Sequence, residues 1–297
     1  MGCKPRAHAS SGPGLGKVVG MQRSPKHTLN NGVEIDVLGY GVYKVPSEDC
    51  ADLVSTALAT GYRTVDTAAL YGNEEGVGAA IRNAVAAGTP RTDLFVTSKV
   101  WNTEQGYDST LAAFDASMER LGLDFVDMFL IHWPCPEKKL FIPTYKALET
   151  LYHEGRVRAI GVSNFEPEHL SQLLDATDVV PAVNQIELHP WLAQHQLRAL
   201  HAELGITTQA WSPLARGALL TDPVLLALAA ETGRSVAQLV LRWHVQSGHL
   251  VIPKASSAAR IAENLNVFDF SLTDDQLTAI NALDQDRRSG SNPNDVN

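Results

Sequence analysis

The chain has 297 residues, of which 44% are hydrophobic, enough to pack one large barrel domain or two ordinary domains. Its 24 basic and 33 acidic residues give a net charge of −9 without a long basic run, which argues against nucleic acid as a partner. Three cysteines, Cys3, Cys50 and Cys135, show no Cys-x-x-Cys spacing, which argues against a disulfide framework or a zinc site and favours a reducing cytoplasm.

Residues 1–26 are predicted to form a disordered extension, because they are rich in Gly, Ser, Pro and basic residues and lack the apolar core of a secretory signal. The opening Met1-Gly2-Cys3 hints at lipidation, but Arg6 stands where a myristoylation site needs Ser or Thr. Met1 and Met21 are both left open as the true start. No apolar stretch reaches the roughly 18 residues that span a bilayer, so we expect a cytoplasmic protein without a membrane partner.

The predicted elements begin near His27 and alternate strands with helices. Asn30-Asn31-Gly32 supplies a tight turn between Thr28-Leu29 and Val33-Glu34-Ile35, which predicts an N-terminal β-hairpin. Ser47 is predicted to cap the first helix. The strands that follow are predicted at 39–41, 62–66, 94–99, 126–132, 157–162, 182–186, 206–210 and 250–252. The helices are predicted at 47–59, 74–86, 109–121, 144–154, 167–176, 193–204, 223–231, 236–246 and 258–265.

Eight strand–helix units predict an α/β fold, a (β/α)8 TIM barrel, as a single domain over residues 27–297. The alternative is an open doubly wound sheet, which usually has five or six strands and a glycine fingerprint after the first. Gly39-x-Gly41 has no third glycine at the right spacing, and Gly76-Val-Gly78 lies inside a predicted helix. The barrel is therefore favoured, and its chemistry is expected at the carboxyl ends of the strands.

Three of these strand ends carry a polar residue at a constant interval of 33 residues: Asp66, Lys99 and His132. Strands joined by one crossover helix are usually neighbours about 4.8 Å apart, so three ends fit within about 10 Å. Tyr71 follows the first strand on a loop that opens toward the same end. Together they predict a proton-transfer site in which Tyr71 is the acid. We expect Lys99 to lower the pKa of Tyr71, and Asp66 to keep Lys99 charged.

Each residue also has a simpler interpretation. Asp66 and Lys99 could form a structural ion pair, His132 could be a core histidine, and Tyr71 could be a packed loop aromatic. A barrel isomerase or aldolase that uses Lys99 as a Schiff base also fits the lysine, but it does not explain an acidic partner that keeps the amine protonated. The occurrence of all four residues around successive strand ends favours a catalytic site.

At these residues the chain resembles the aldo-keto reductase family, most closely its bacterial branch of 2,5-diketo-gluconate and methylglyoxal-type reductases. The resemblance runs in order through about residues 27 to 297. It rests on Gly61-Tyr-Arg-Thr-Val-Asp66-Thr-Ala-Ala-Leu-Tyr71-Gly-Asn-Glu74, Thr97-Ser98-Lys99-Val-Trp101-Asn102, Leu130-Ile131-His132-Trp133-Pro134, Ile160-Gly-Val-Ser163-Asn164-Phe165, Asn184-Gln185-Ile-Glu187-Leu-His189-Pro190, and Ile252-Pro253-Lys254 with Arg260-Ile-Ala-Glu263-Asn264. It implies reduction of aldehydes or ketones (small dicarbonyls, sugar-derived or aromatic carbonyls) by NADPH, with Asp66, Tyr71, Lys99 and His132 as the catalytic tetrad.

The resemblance also implies the cofactor site. Residues matching those that bind the nicotinamide carboxamide are Ser163, Asn164 and Gln185. Trp211 matches the aromatic residue that stacks on the nicotinamide, where most relatives have tyrosine, and Ser212 and Leu214 match the pyrophosphate loop. Lys254 and Arg260 match the 2′-phosphate site, beside a helix N-terminus at Ser256 and Ser257, while Glu263 and Asn264 match the adenine contacts. Ala255 replaces a serine usual in the family, so we expect NADPH to be preferred and NADH to bind more weakly.

The expected substrate is a small-molecule carbonyl compound, enclosed by an aromatic mouth of Tyr43, Trp101 and Trp133 and by the C-terminal tail from Leu283 onward, which folds over the active site in relatives. No metal is assigned, since the histidines show no ligand spacing. Monomers are usual in this branch. The rival function is a non-catalytic nicotinamide-binding accessory or sensor protein on the same fold; an intact tetrad counts against it.

Overall fold

The computed structural model describes residues 23–297, so the lipidation motif and both candidate start positions lie outside the described residues. The strands are β1 (Lys26–Thr28), β2 (Glu34–Asp36), β3 (Tyr40–Gly41), β4 (Thr64–Asp66), β5 (Phe95–Val100), β6 (Val126–Ile131), β7 (Val157–Ser163), β8 (Val183–Glu187), β9 (Thr207–Trp211) and β10 (Leu250–Val251). The α-helices are α1 (Ser47–Thr60), α2 (Glu74–Ala86), α3 (Tyr107–Leu121), α4 (Phe141–His153), α5 (Pro167–Leu174), α6 (His195–Leu204), α7 (Pro223–Thr232), α8 (Val236–Gln246), α9 (Ala258–Leu265) and α10 (Asp274–Asn281).

Strands β3 to β10 form one parallel sheet in which each strand is bonded to the next along the chain. The first and last strands also meet, because the Val251 N–H donates to the Val37 carbonyl at 2.8 Å and the Gly39 N–H donates to the Val251 carbonyl at 2.9 Å. These bonds close the eight strands into a ring, which confirms the predicted (β/α)8 barrel.

The predicted hairpin is present as the antiparallel pair β1–β2, and it covers the amino end of the barrel. Its Leu29 and Ile35 side chains join a buried cluster with Met128, Leu130 and other residues from inside the strands. The Asn31 amide donates to the carbonyl of Arg158, next to the first residue of β7, at 2.9 Å. Because the hairpin blocks this end, the carboxyl ends of the strands form the open mouth.

The helices pack outside the sheet through their apolar faces. Gly78 shows how close two of them come, because a Cβ added there would lie 1.8 Å from the Leu121 carbonyl oxygen at the end of α3. Glycine therefore permits the close contact between α2 and α3.

Three details differ from the sequence prediction. Ser47 is not a cap, because it is the first residue of α1 and the preceding Pro46 makes no side-chain capping bond. Helix α10 was not predicted, although Thr273 and Gln276 form a capping box that marks its start. Strand ends shift by one or two residues, as at β4, which begins at Thr64 rather than residue 62. Strand β1 likewise begins at Lys26, inside the segment predicted to be disordered, because Lys26 pairs with Asp36.

Across residues 23–297, no individual helix has the length and apolarity needed to cross a membrane; α7 and α8 pass that test only as a pair bent by 91°.

Candidate active site

A buried ion pair forms the centre of the open mouth. Lys99 on β5 donates from Nζ to Asp66 Oδ1 at 2.6 Å, and to the Thr67 carbonyl at 2.8 Å. Asp66 ends the neighbouring strand β4, and its second oxygen accepts a bond from Gln185 Nε2 at 2.7 Å. Lys99 is fully buried and Asp66 is 3% exposed, so water does not screen the pair.

Tyr71 and His132 lie against this pair. Tyr71 ends a short 3₁₀ turn, Ala69–Tyr71, that follows β4, and Lys99 Nζ is 5.2 Å from its ring centroid. The ring of His132, which directly follows β6, is 5.6 Å from the Tyr71 ring at an interplanar angle of 77°. The structure therefore brings together all four residues of the predicted tetrad.

The expected net lowering of the Tyr71 pKa is wrong. Burial, the Asp66 carboxylate and the nearby Tyr43 raise the pKa of Tyr71 well above its usual value. The carboxylate that neutralises Lys99 also disfavours a second negative charge beside it. Tyr71 is consequently a protonated phenol, which is the form needed to donate a proton.

Burial lowers the pKa of both Lys99 and His132, but their charged neighbours act in opposite directions. Burial lowers the pKa of Lys99, while the Asp66 and Glu74 carboxylates oppose this change and favour the ammonium. Burial and the Lys99 charge lower the pKa of His132 well below its usual value, so His132 is a neutral imidazole. A neutral ring retains one N–H donor, which can bond a carbonyl oxygen in the mouth.

Four predicted nicotinamide residues form a connected set on β7, β8 and β9. Ser163 Oγ donates to the Gln185 carbonyl at 2.7 Å, and Asn164 Nδ2 donates to the His132 carbonyl at 2.9 Å. The indole N–H of Trp211 donates to Asn164 Oδ1 at 2.8 Å. Asn164 has a left-handed backbone with φ of 64°, which asparagine tolerates better than most residues. Amide groups that both donate and accept are thereby held next to the tetrad.

The predicted phosphate residues lie farther along the rim. Ser212 and Leu214 are half-buried in the loop after β9, where Ser212 has a φ of 48°. Ser257 caps α9, since its side chain accepts the Arg260 N–H. The four residues predicted to bind the 2′-phosphate around that helix start are all exposed: Lys254, Ser256, Ser257 and Arg260.

The remaining cofactor candidates are less accessible. Glu263 is half-buried and Asn264 is buried, although both were expected to contact adenine. Ala255 is also buried, and its carbonyl accepts the Tyr40 hydroxyl at 2.6 Å. This segment is therefore fixed by its backbone, while Lys254 and Arg260 extend from it into solvent.

Three aromatic residues flank the tetrad. The Tyr43 ring lies 5.1 Å from the Tyr71 ring, and the Trp101 ring lies 5.1 Å from the His132 ring. The Trp133 ring lies 6.5 Å from the Trp211 ring. The three rings predicted to form an aromatic mouth therefore lie beside Tyr71, His132 and Trp211.

The C-terminal tail crosses this mouth. The N–H groups of Ser289 and Gly290 donate to the Glu187 carboxylate at the end of β8. Farther along, the Asn297 side-chain oxygen accepts the Glu137 N–H, in the loop after β6, at 2.9 Å. The tail therefore runs from the end of β8 to the loop after β6.

Sequence reasoning missed three polar residues in this region. Gln209 accepts from Gln185, Glu187 anchors the tail, and Glu74 accepts from Ser98 Oγ at 2.5 Å beside Lys99. For Glu187 and Gln209 the sequence offered one signal, the alternation of side chains along a strand. Gln185 and Glu187 are two residues apart on β8, as are Gln209 and Trp211 on β9, so each pair lies on one face of its strand.

Metal-ligating side chains do not cluster in the described part of the chain, where no group of three or more His, Cys, Asp or Glu residues is arranged to hold an ion.

Known proteins are similar to this chain in both sequence and fold. A model of the aldo/keto reductase family matches residues 37–285. This chain belongs to that family. It is therefore an oxidoreductase, as the resemblance implied.

An aldo-keto reductase of Mycolicibacterium smegmatis is 53% identical over 274 residues, which cover 92% of this chain and 98% of that protein. Glyoxal reductase of Bacillus subtilis is 48% identical over 269 residues, which cover 90% of this chain and 96% of that protein. A crystal structure of a Gox0644 mutant in complex with NADPH superimposes with a TM-score of 0.88 at 44% identity, covering 92% of this chain and 99% of that one.

Proposed function

We propose that this protein reduces aldehydes and ketones to alcohols with NADPH, with Tyr71 as the general acid. The observation that carries the proposal is the packing of a protonated Tyr71 against both Lys99 and the neutral His132. A structural ion pair alone does not account for a phenol and an imidazole that meet above it. General acid catalysis of this kind contributes about 10²–10⁴-fold to a rate.

The residues present fit a nicotinamide dinucleotide. Ser163 and Asn164 offer both donors and acceptors for a carboxamide, and the half-exposed Trp211 indole offers an aromatic face. Lys254 and Arg260 near the start of α9 suit a dianionic 2′-phosphate, which favours NADPH over NADH. When bound, NADPH supplies the hydride that reduces the carbonyl carbon.

The chain's own residues then act on the carbonyl oxygen. An N–H of the neutral His132 ring orients the oxygen, and the Tyr71 hydroxyl delivers the proton that completes the alcohol. The Lys99 ammonium favours the phenolate that remains, while Asp66 holds Lys99 in place and keeps it from donating directly. Tyr71 regains its proton from solvent before the next turnover.

We further propose that the substrates are small dicarbonyls, sugar-derived aldehydes or aromatic aldehydes. Tyr43, Trp101 and Trp133 form largely apolar walls, and His132 supplies a polar group that fixes the carbonyl, a combination common in ligand sites. We also propose that the protein is a cytoplasmic monomer of one barrel domain over residues 27–297. Sedimentation equilibrium tests the monomeric state, and cell fractionation tests the cytoplasmic location.

The deciding experiment is an NADPH-consumption screen over dicarbonyls, sugars and aromatic aldehydes, repeated with NADH. We expect turnover with at least one class and a lower KM for NADPH than for NADH. Saturable binding of NADPH without turnover on any carbonyl would instead support the accessory or sensor function.

A further inference from the structure

Glu187 is a buried carboxylate that the proposed reaction does not use. It is the last residue of β8, is 1% exposed, and pairs in register with Trp211 on β9. Its Oε1 accepts the N–H of Ser289 at 2.7 Å and the N–H of Gly290 at 3.0 Å, and it also accepts the Ser289 hydroxyl. His189 contacts the same oxygen through Nε2 at 3.1 Å.

The burial of this carboxylate needs a reason. Removing an ion from water costs several kcal/mol unless hydrogen bonds replace the lost hydration. Three of the donors that replace it belong to Ser289 and Gly290, about 100 residues later in the chain. An apolar side chain would end β8 without that cost, so the carboxylate is explained by the tail that it binds.

The bound tail lies directly on the Trp211 indole. A Cβ added at Gly290 would fall 2.5 Å from a Trp211 ring carbon, so the tail backbone and the ring are in close contact. The other edge of the ring is bonded to Asn164 through the indole N–H. A second attachment, Arg288 to Glu166 at 2.7 Å, is more exposed and therefore weaker.

We propose that Glu187 is a positioning residue that fixes the C-terminal tail as the outer wall of the carbonyl site and so restricts the size of the substrate. The inference rests on the proposed function, since it assigns a substrate to that same mouth. Glu187 acts through Ser289, Gly290 and Trp211, and it need not touch the substrate.

The first test measures the tail itself and needs no turnover. Hydrogen–deuterium exchange of the purified full chain should show protected amides at Ser289 and Gly290. Glu187→Ala should raise their exchange rates by at least about tenfold, while the amide of Ile252, which bonds to Ala210 inside the barrel, stays protected. Glu187→Gln retains one carbonyl oxygen as an acceptor, so its protection should fall between the two.

The second test measures selectivity. Glu187→Ala, which frees the tail, should raise the KM for a small dicarbonyl such as glyoxal by about tenfold. It should change the KM for a bulky aromatic aldehyde by less than about threefold, and kcat should be preserved for both substrates. Asp115→Asn is the matched control, because Asp115 is an exposed carboxylate paired with Arg156 outside the mouth. It should leave both KM values and the tail amides unchanged.

If Glu187→Ala does not fold, Ser289→Ala and Gly290→Ala change the tail side of the contact instead and should shift the same two measurements. Equal exchange of the two amides in wild type and Glu187→Ala overturns the anchoring. Faster exchange with unchanged size selectivity overturns the effect on substrate choice. A wild-type protein that reduces no carbonyl would refute the proposed function, while the exchange result would still decide the anchoring.

Discussion

Lys99 Nζ and Asp66 Oδ1 are 2.6 Å apart at the carboxyl ends of two adjacent strands, and both side chains are buried. This pair orients the ammonium against the Tyr71 ring, 5.2 Å away. The Asp66 carboxylate has a second partner, because its other oxygen accepts a hydrogen bond from the Gln185 amide. The residues proposed to transfer the proton and those proposed to bind the nicotinamide are therefore joined through Asp66.

Asp66→Asn should reduce both stability and turnover. The substitution leaves a buried ammonium without its counter-charge, and breaking one partner of such a pair typically costs about 3–5 kcal/mol. Urea unfolding measures the loss in stability, and NADPH oxidation measures the loss in rate. Asp115→Asn is the control, because an exposed pair contributes only about 0–1 kcal/mol. A loss of similar size in both variants would contradict the importance of burial at Lys99.

Tyr71→Phe should lower kcat by about 10²–10⁴-fold and leave NADPH affinity unchanged. Only the hydroxyl is removed, so the ring contacts with His132 and Tyr43 remain. Steady-state kinetics with the best aldehyde and a fluorescence titration with NADPH provide the two measurements. Full activity in this variant would refute the assignment of Tyr71 as the acid.

Lys254→Ala and Arg260→Ala should each weaken NADPH binding by roughly tenfold, as expected for the loss of a partly solvated, charge-assisted bond to a phosphate. NADH lacks the 2′-phosphate, so its affinity should change little and serves as the internal control. Titrations with both cofactors measure the difference. An equal loss for NADPH and NADH would show that these residues support the fold of the loop rather than select the phosphate.

Acidification should destabilise the protein through buried histidines. Burial and the charge of Arg198 lower the pKa of His201 to about 4 and the pKa of His249 to about 3. The unfolded chain, with histidine pKa values near 6.5, binds these protons first. The stabilisation is therefore fully present above about pH 6.5 and is lost as the pH falls, until the folded pKa values are reached.

Each such histidine should contribute about 1.4 kcal/mol per pH unit within that window. Urea midpoints at pH 7.5, 6.0 and 5.0 measure this slope. His249→Phe keeps a ring beside Trp243 but removes one titrating group, so its slope should be shallower. A slope identical to that of the wild type would assign the acid sensitivity to other groups.

The sequence was informative where a residue type and a period coincide. The interval of 33 residues between Asp66, Lys99 and His132 predicts neighbouring strand ends, and the structure has them on β4, β5 and directly after β6. Weaker local signals were less reliable. Ser47 was predicted to cap the first helix because serine is a common capping residue, but it is the first residue of that helix.

Electrostatic expectations failed where several partners compete. The pair of Lys99 with Tyr71 alone predicts a lowered phenol pKa, but burial and Asp66 reverse the direction. Glu187 was likewise overlooked, because its function depends on Ser289 and Gly290, far away in the chain. A sequence considered one pair of residues at a time does not reveal the combined effect of several neighbours that meet only in the folded chain.

The sequence by itself determined the eight strand–helix units and the identities of the polar residues at their ends, because hydrophobic periodicity and residue chemistry are local properties. Only the tertiary structure decided which protonation states those residues adopt and which carboxylate holds the tail. Both depend on burial and on distances between segments that meet only when the ring of strands closes.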